Sequence, residues 1–327
     1  MKFMKGMYII WPDYDYIDKA IDSGIDTLLI NLNSGDSKEK TKELFERYHN
    51  KVELVPTIAW MQPHYFLFQD QQFFDGDKFY ENTACPTSVD YIKNLLKFPL
   101  ELYNNYSCKS VGIDFESYGI GKYHRVIEYH ELWENGYICK CDRCKNLSQY
   151  EQRIINAENI QKELGPASLY HLPCVNPFIW RIGNYWFNEF TYEKWGAWGR
   201  ILKNTYKMKK KLSRLPLNTS GLWMEKFTAR DYLDRLKEIV KSPATDGYWL
   251  YPQMRMSKNC YWRLHPEDPY SKESLAELPY HSFIDTPNDS TSDPAFFSKL
   301  KEINNNIDDW RSGWWFGIGS LIYGFFR

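Results

Sequence analysis

Short apolar runs alternate with longer amphipathic stretches along this chain, and the alternation predicts strands separated by helices. Met7-Tyr8-Ile9-Ile10-Trp11 is an apolar run that stops at Pro12 and predicts a first strand. Apolar residues at helical spacing from Ile17 to Ile25, with Gly24 as a stop, predict a helix. Thr27 to Leu32 predicts a second buried strand, closed by Asn33-Ser34-Gly35, and Ser37 to Tyr48 a charged amphipathic helix. Val52 to Trp60 predicts a third strand. Strands and helices alternating at this spacing are βα units around a parallel sheet.

A long loop from Met61 to Ser88, rich in Phe, Tyr, Gln and Asp, interrupts the rhythm; its length points to function and its aromatics argue against disorder. Val89 to Tyr103 predicts a helix and Ser110 to Glu116 the fourth strand. A cysteine-bearing loop follows, then a helix from about Ser148 to Leu164, ended by Gly165-Pro166. Ser168 to Val175 predicts a fifth strand, and the aromatic residues 180–187 a further one. A helix is expected from about Tyr192 to Leu212, a strand over Pro216 to Glu225, a helix from its Thr228 cap through Val240, and a last strand over Thr245 to Pro252. From about Ser257 the chain is polar and proline-punctuated, with a late helix near Pro294 to Asn305.

Seven strands and the aromatic candidate, separated by helices, fit an α/β fold of the (β/α)8 TIM-barrel type with long loops better than an open doubly wound sheet. No G-x-G-x-x-G follows the first strand, which argues against a nucleotide-binding sheet. The expected organisation is one barrel over residues 1–310 and an apolar, aromatic C-terminal tail over 311–327. At 327 residues, 43% of them hydrophobic, the chain can fill such a core.

Charge narrows the partners. A net charge of −1 provides no basic field for nucleic acid, and Lys207-Met208-Lys209-Lys210-Lys211 reads as the solvated end of a helix. Thirteen Trp and 25 Tyr are many for an ordinary domain; they fit a large aromatic core, a half-wet cleft whose rings suit the apolar faces of sugars, or both at once. Seven cysteines are an odd number, which fits a reducing compartment and a metal site better than a disulfide framework. The lysine-bearing N-terminus lacks the apolar stretch of a signal peptide, so a cytoplasmic location is expected. The segment Trp314 to Phe326 is apolar but short for a bilayer; a packed terminal segment is expected, with membrane contact or partner docking as the alternatives.

Cys139-Lys140-Cys141-Asp142-Arg143-Cys144 is a C-x-C-x-x-C run whose three sulfurs can converge from one loop on a tetrahedral zinc ion. Cys85 is the fourth candidate, with His124 or His130 as alternatives. Four closed ligands make the zinc structural rather than catalytic. Cys108, Cys174 and Cys260 read as ordinary thiols, and His171 as a satisfied strand residue.

In a βα barrel the working residues gather at the carboxyl ends of the strands. Those ends carry Trp11, Asn31, Trp60, Asp114, Glu116, Asn176, Glu225, Tyr251 and Gln253. Acids for bond cleavage, amides for hydroxyls and rings for faces are what a glycoside or oligosaccharide site needs. Trp223 and Trp249 would line sugar subsites beside Trp60, and His64 would face the cleft. Asp114 and Glu116 are two apart on a strand and point to one side, so their like charges raise the pKa of one of them. Glu116 takes the proton-donor role, Asp114 an organising one, and Glu225 is the candidate partner carboxylate. On the other reading Glu225 opens the next helix, where a carboxylate suits the dipole. Glu189 and Glu193, placed in an aromatic loop, are reserves, and Asp246 is at the wrong end of its strand for catalysis.

Cys85-Pro86-Thr87-Ser88 with Tyr91, a strand ending in Glu116, and the C-x-C-x-x-C run together resemble the β-galactosidases of glycoside hydrolase family 42 and uncharacterised barrel proteins related to them. The resemblance implies a (β/α)8 fold, a structural zinc on Cys85, Cys139, Cys141 and Cys144, Glu116 as acid/base and a strand-seven nucleophile at Glu225. Phe115 stands where that family has an Asn before its acid, and the loop from Glu116 to Cys139 is longer than the family's. The expected activity is therefore glycosidic-bond hydrolysis by two carboxylates, with the sugar open. The rivals are a carbohydrate-binding pseudoenzyme and a zinc-stapled interaction module.

Overall fold

The computed structural model of the chain describes residues 2–9, 12–32, 38–59, 67–114, 138–172, 183–189, 217–223, 229–241, 245–251 and 294–312. They fall into two compact units: a central one, Leu29–Asn188, and a terminal one formed by Met1–Leu28 with Glu189–Arg327.

The terminal unit carries β1 (Met4–Ile9), β9 (Leu217–Trp223) and β10 (Gly247–Tyr251), in the order β1-β10-β9, with both pairings parallel. β1 begins three residues earlier than its apolar run suggests. Met4 donates its N–H to the Asp246 carbonyl at 3.1 Å, and parallel pairing with β10 runs from Met4 opposite Gly247. Helix α1 (Tyr14–Asp22) starts at Asp13, whose Oδ1 accepts the Tyr16 N–H at 3.1 Å. It ends at Ser23, and the next residue, Gly24, takes φ +94°, a left-handed conformation that favours glycine. Tyr16, Ile17 and Ala20 form its buried face.

Two further helices belong to this unit, here α5 (Ala229–Lys241) and α6 (Pro294–Asn305). α5 buries Leu233, Leu236, Ile239 and Val240, and α6 buries Phe296, Phe297, Leu300 and Ile303. The packed chain continues past α6. The Arg311 guanidinium donates to the carbonyls of Val240 and Thr245 at 3.0 and 3.1 Å and lies over the Phe3 ring. Arg311, assigned by the sequence reading to a terminal tail, is thus part of this packing.

The central unit carries the order β2-β3-β6-β7-β8, from β2 (Thr27–Asn31, in this unit from Leu29), β3 (Glu53–Ala59), β6 (Ser110–Asp114), β7 (Ser168–Leu172) and β8 (Gly183–Glu189, in this unit to Asn188), with β3-β6, β6-β7 and β7-β8 parallel. Helix α2 (Lys38–Tyr48) buries Thr41, Leu44, Phe45 and Tyr48, one stripe at helical spacing. Helix α3 (Val89–Asn105) is capped by Ser88, and α4 (Gln149–Leu164) by a reciprocal box between Ser148 and Glu151. Ile92, Leu95 and Leu96 of α3 and Ala157, Ile160 and Leu164 of α4 pack with Ile58, Val111 and Ile113 of the sheet. The alternate residue Gly112 is opposite Thr57, and a Cβ there would run into the Thr57 side chain.

The stretch read as a continuous loop before α3 contains a hairpin. β4 (Gln72–Phe74) pairs antiparallel with β5 (Phe79–Ala84), turning at Asp75-Gly76, where Gly76 takes φ +109°. Glu189, expected in a loop, is the last residue of β8. The expected helix over 192–212, residues Lys207 to Lys211, Glu193 and the segment Trp314 to Phe326 lie outside the described residues. Among the described residues no helix is long and apolar enough to cross a membrane.

Candidate metal centre

Cys85, Cys139, Cys141 and Cys144 converge, with ligand atoms all within 4.8 Å of one another. Cys85 Sγ is 3.7 Å from Cys141 Sγ and 3.5 Å from Cys144 Sγ. Four sulfurs bound at about 2.3 Å to a tetrahedral zinc ion would be separated by about 3.8 Å. The two Cys85 distances match that spacing, and the four sulfurs together could hold one metal ion. Cys85, Cys139 and Cys144 are at most 1% exposed and Cys141 9%, so water has little access to the cluster.

Local backbone turns set up the convergence. The N–H groups of Cys144 and Lys145 both donate to the Cys141 carbonyl at 2.8 Å, coiling Cys141 to Cys144 into one turn. Cys85 is fixed by its N–H to the Gln71 carbonyl at 2.7 Å, directly after β5. Lys140 donates its N–H to the Phe74 carbonyl at 2.7 Å, and its side chain covers Gly76 at the hairpin turn. The hairpin thus seats Cys85 on one side and the three-cysteine loop on the other. Arg143 adds a bond from Nη2 to the Asp70 carbonyl. Thr87 Oγ1 lies 3.0 Å from Cys144 Sγ and 3.3 Å from Cys85 Sγ.

The electrostatics favour a cation. Hydrogen bonds from Cys139, then Cys141 and Cys144, hold the Cys85 thiol far below its usual range. Their bonding to Cys85, burial and its charge push the Cys141 thiol far up. Cys144 is pushed up by its bonds to Cys139 and Cys85 and by burial. Four crowded sulfurs repel one another when ionised without a counter-ion. A divalent cation removes that repulsion and lets all four ionise. Cys108, away from the cluster, is half-buried, and burial pushes its thiol up to about 12.

The sequence reading missed the buried amides on α4. Gln152 and Asn156 are 0% exposed and bond the backbones of the two cysteine segments. The residue pattern of α4 alone gives no sign that these polar positions face inward.

The other expected site residues divide by position. Asp114 is the last residue of β6, in register with Ala59 and Leu172. Asn31 is half-buried at the end of β2. Trp223 and Tyr251 end β9 and β10 and are register partners. Trp249 is 2% exposed, opposite Gly6 and Gly221, with its ring 6.1 Å from that of Tyr8. Trp11, Trp60, His64, Glu116, Asn176, Glu225 and Gln253 lie outside the described residues, as do His124, His130, Cys174 and Cys260.

No protein-family model matches the chain, those of the family 42 β-galactosidases included, and no curated protein matches it. Solved structures do show a likeness. An endo-β-N-acetylglucosaminidase from Cordyceps militaris is 11% identical, with 94% of this chain and 91% of that one covered, at a TM-score of 0.49. A maltogenic α-amylase from Thermotoga neapolitana is 7% identical, with 94% and 76% covered, at 0.49. A GH27 β-L-arabinopyranosidase variant from Geobacillus stearothermophilus, in complex with arabinose, is 12% identical, with 80% and 74% covered, at 0.46. Likeness at this level assigns the chain no activity.

Proposed function

We propose that this chain is a glycoside hydrolase on a (β/α)8 barrel, with a structural Zn2+ bracing the edge where the chemistry occurs. The placement of the four-sulfur cluster carries this reading. Cys85 lies in the connection from β3 to α3, and Cys139, Cys141 and Cys144 lie in the connection from β6 to α4. β3 and β6 are parallel neighbours. Strand-to-helix connections leave the carboxyl ends of parallel strands, where α/β enzymes place their working groups. Asp114 ends β6, and Glu116 follows two residues later in the connection that the cluster pins.

A set of four thiolates selects zinc or iron over harder cations, and four protein ligands leave no position for a reacting water. The ion therefore supplies rigidity, and the acids supply chemistry. Glu116 protonates the leaving oxygen, helped by the like charge of Asp114, which favours its protonated form. Glu225 attacks the anomeric carbon if the two carboxyls stand about 5–5.5 Å apart, or activates water at roughly 6.5–9.5 Å. Asn31, Asn176, Gln253 and His64 bond sugar hydroxyls. Trp11, Trp60, Trp223 and Tyr251 supply ring faces, whereas Trp249, expected among them, is buried at 2% exposure and has no face to offer.

A panel of aryl glycosides tests the activity. Zinc-loaded protein should turn over at least one of them, and Glu116→Gln should lower kcat about 10²- to 10⁴-fold. Absence of turnover on the whole panel would overturn the hydrolase. Native mass spectrometry tests the brace: zinc should accompany the chain and be lost in Cys141→Ser, whereas protein from metal-replete, reducing preparations that carries no zinc removes it.

A further inference from the structure

Three amides occupy the inward stripe of α4. Gln152, Asn156 and Asn159 stand at i, i+4 and i+7, one face of a helix. The Gln152 carboxamide is folded against the three-cysteine loop. Its Oε1 accepts the Cys139 N–H at 3.1 Å, and its Nε2 donates to the Cys139 carbonyl at 2.8 Å. The same nitrogen reaches the Leu147 carbonyl at 3.3 Å and the Cys144 carbonyl at 3.5 Å. One turn on, Asn156 Nδ2 donates to the Pro86 carbonyl at 2.8 Å. Asn159 Nδ2 donates to the Thr87 carbonyl at 3.4 Å. The stripe therefore grips the backbone of both cysteine segments from one rigid element.

We infer that Gln152, Asn156 and Asn159 form a clamp that holds the two cysteine segments in metal-binding register and thereby sets the affinity for the ion. None of the three offers a sulfur, imidazole or carboxylate to the ion; they are positioning residues that act through the backbone of Cys139 and of the two residues after Cys85. An apolar stripe on α4 would pack against the sheet as well. It would leave buried carbonyls at Cys139 and Pro86 without these donors. With the clamp in place, the entropy of gathering sulfurs from two distant loops is met on folding, so less is lost when the ion binds. This inference rests on the metal part of the proposed function and is independent of its glycosidase part.

The test is Zn2+ competition with a chromophoric chelator on the full chain, together with the spectrum of the Co2+-substituted protein and far-UV circular dichroism. Gln152→Leu should weaken Zn2+ binding about 10- to 100-fold and alter the Co2+ bands while helical content is retained. Asn156→Leu should weaken it too, through loss of the bond to the Pro86 carbonyl. Glu158→Gln, on the exposed side of the same helix, should leave affinity unchanged. Should Gln152→Leu fail to fold, the half-buried Asn159→Ala replaces it, with a smaller fall expected in the same assay. A folded Gln152→Leu or Asn159→Ala with wild-type Zn2+ affinity and an unaltered Co2+ spectrum overturns the clamp. Wild-type protein that binds neither ion overturns the metal reading itself, a different failure.

Discussion

Asn156 and Asn304 are both buried helix asparagines, and each donates its Nδ2 to a backbone carbonyl at 2.8 Å, yet they fasten different kinds of structure. Asn304 in the terminal unit bonds the Ser23 carbonyl at the end of α1 and accepts the Tyr248 hydroxyl at 2.6 Å. Around it, Phe296, Phe297, Leu300 and Ile303 already supply an apolar layer, and the Tyr16 and Phe297 rings meet edge to face at 5.6 Å. Asn304 adds register to elements that burial holds together. Asn156 in the central unit holds Pro86, in a connection whose regular pieces among the described residues are a 3-10 turn (Gln69–Gln71) and a short hairpin. That segment buries Leu67, Phe73 and Ala84, and beside them amides and sulfurs fasten the residues around Cys85.

The two regions should therefore fail differently. Removing zinc with a strong chelator, or by Cys85→Ser, should have the largest effect. With free Zn2+ a thousandfold above its Kd, the loss is about 4 kcal/mol. Hydrogen exchange should report it first at the N–H groups of Lys140, Cys144, Lys145 and Leu147, all bonded within the cysteine region. The Met4 N–H, which is bonded across to Asp246 in the terminal unit, should keep its protection. Equal loss in both regions would break the contrast.

The converse change is Asn304→Ala. It leaves the buried Tyr248 hydroxyl and the Ser23 carbonyl without their partner, a cost of about 1–3 kcal/mol. The unfolding free energy from denaturant titration should fall by that amount with zinc content unchanged. A fall in zinc content would mean the two fastenings are coupled.

The smallest effect sharpens the picture of the hairpin. The Asp75 carboxylate accepts the N–H groups of Lys78 and Asp77 and the Tyr80 hydroxyl. In that order these bonds hold its pKa at about 2, below its ordinary 3.8. A carboxyl group whose folded pKa is depressed stabilises the fold fully above the unfolded value, and the contribution disappears as pH falls from about 4 to about 2. Asp75 is solvent-exposed, so screening keeps the contribution small. Tyr80 ring resonances should titrate with a midpoint near 2 and stop doing so in Asp75→Asn; a midpoint near 4 would remove the turn contacts.

The periodic elements were legible because their signal is local. The apolar runs and helical stripes locate β2, β3, α2, α3, α4 and α6 to within about two residues of their observed ends. The hairpin was not legible: β4 has three residues, too few to show an alternation, and Asp75-Gly76 alone marks its turn. Likewise nothing in the chain marked Gln152, Asn156 and Asn159, because a sequence does not say which polar stripe of α4 faces inward. The start of β1 at Met4 depends on pairing with Gly247 at the other end of the chain.

The sequence by itself determined that three sulfurs meet, since C-x-C-x-x-C needs only one coiled turn to bring them together. It also determined that strands and helices alternate, because period 2 and period 3.6 are written into neighbouring residues. Only the tertiary structure decided that Cys85 joins them across 56 positions from Cys141, and that the amides of α4 grip both segments. Those contacts depend on how α4 packs beside α3, a balance of burial over the whole unit that no short stretch of chain encodes.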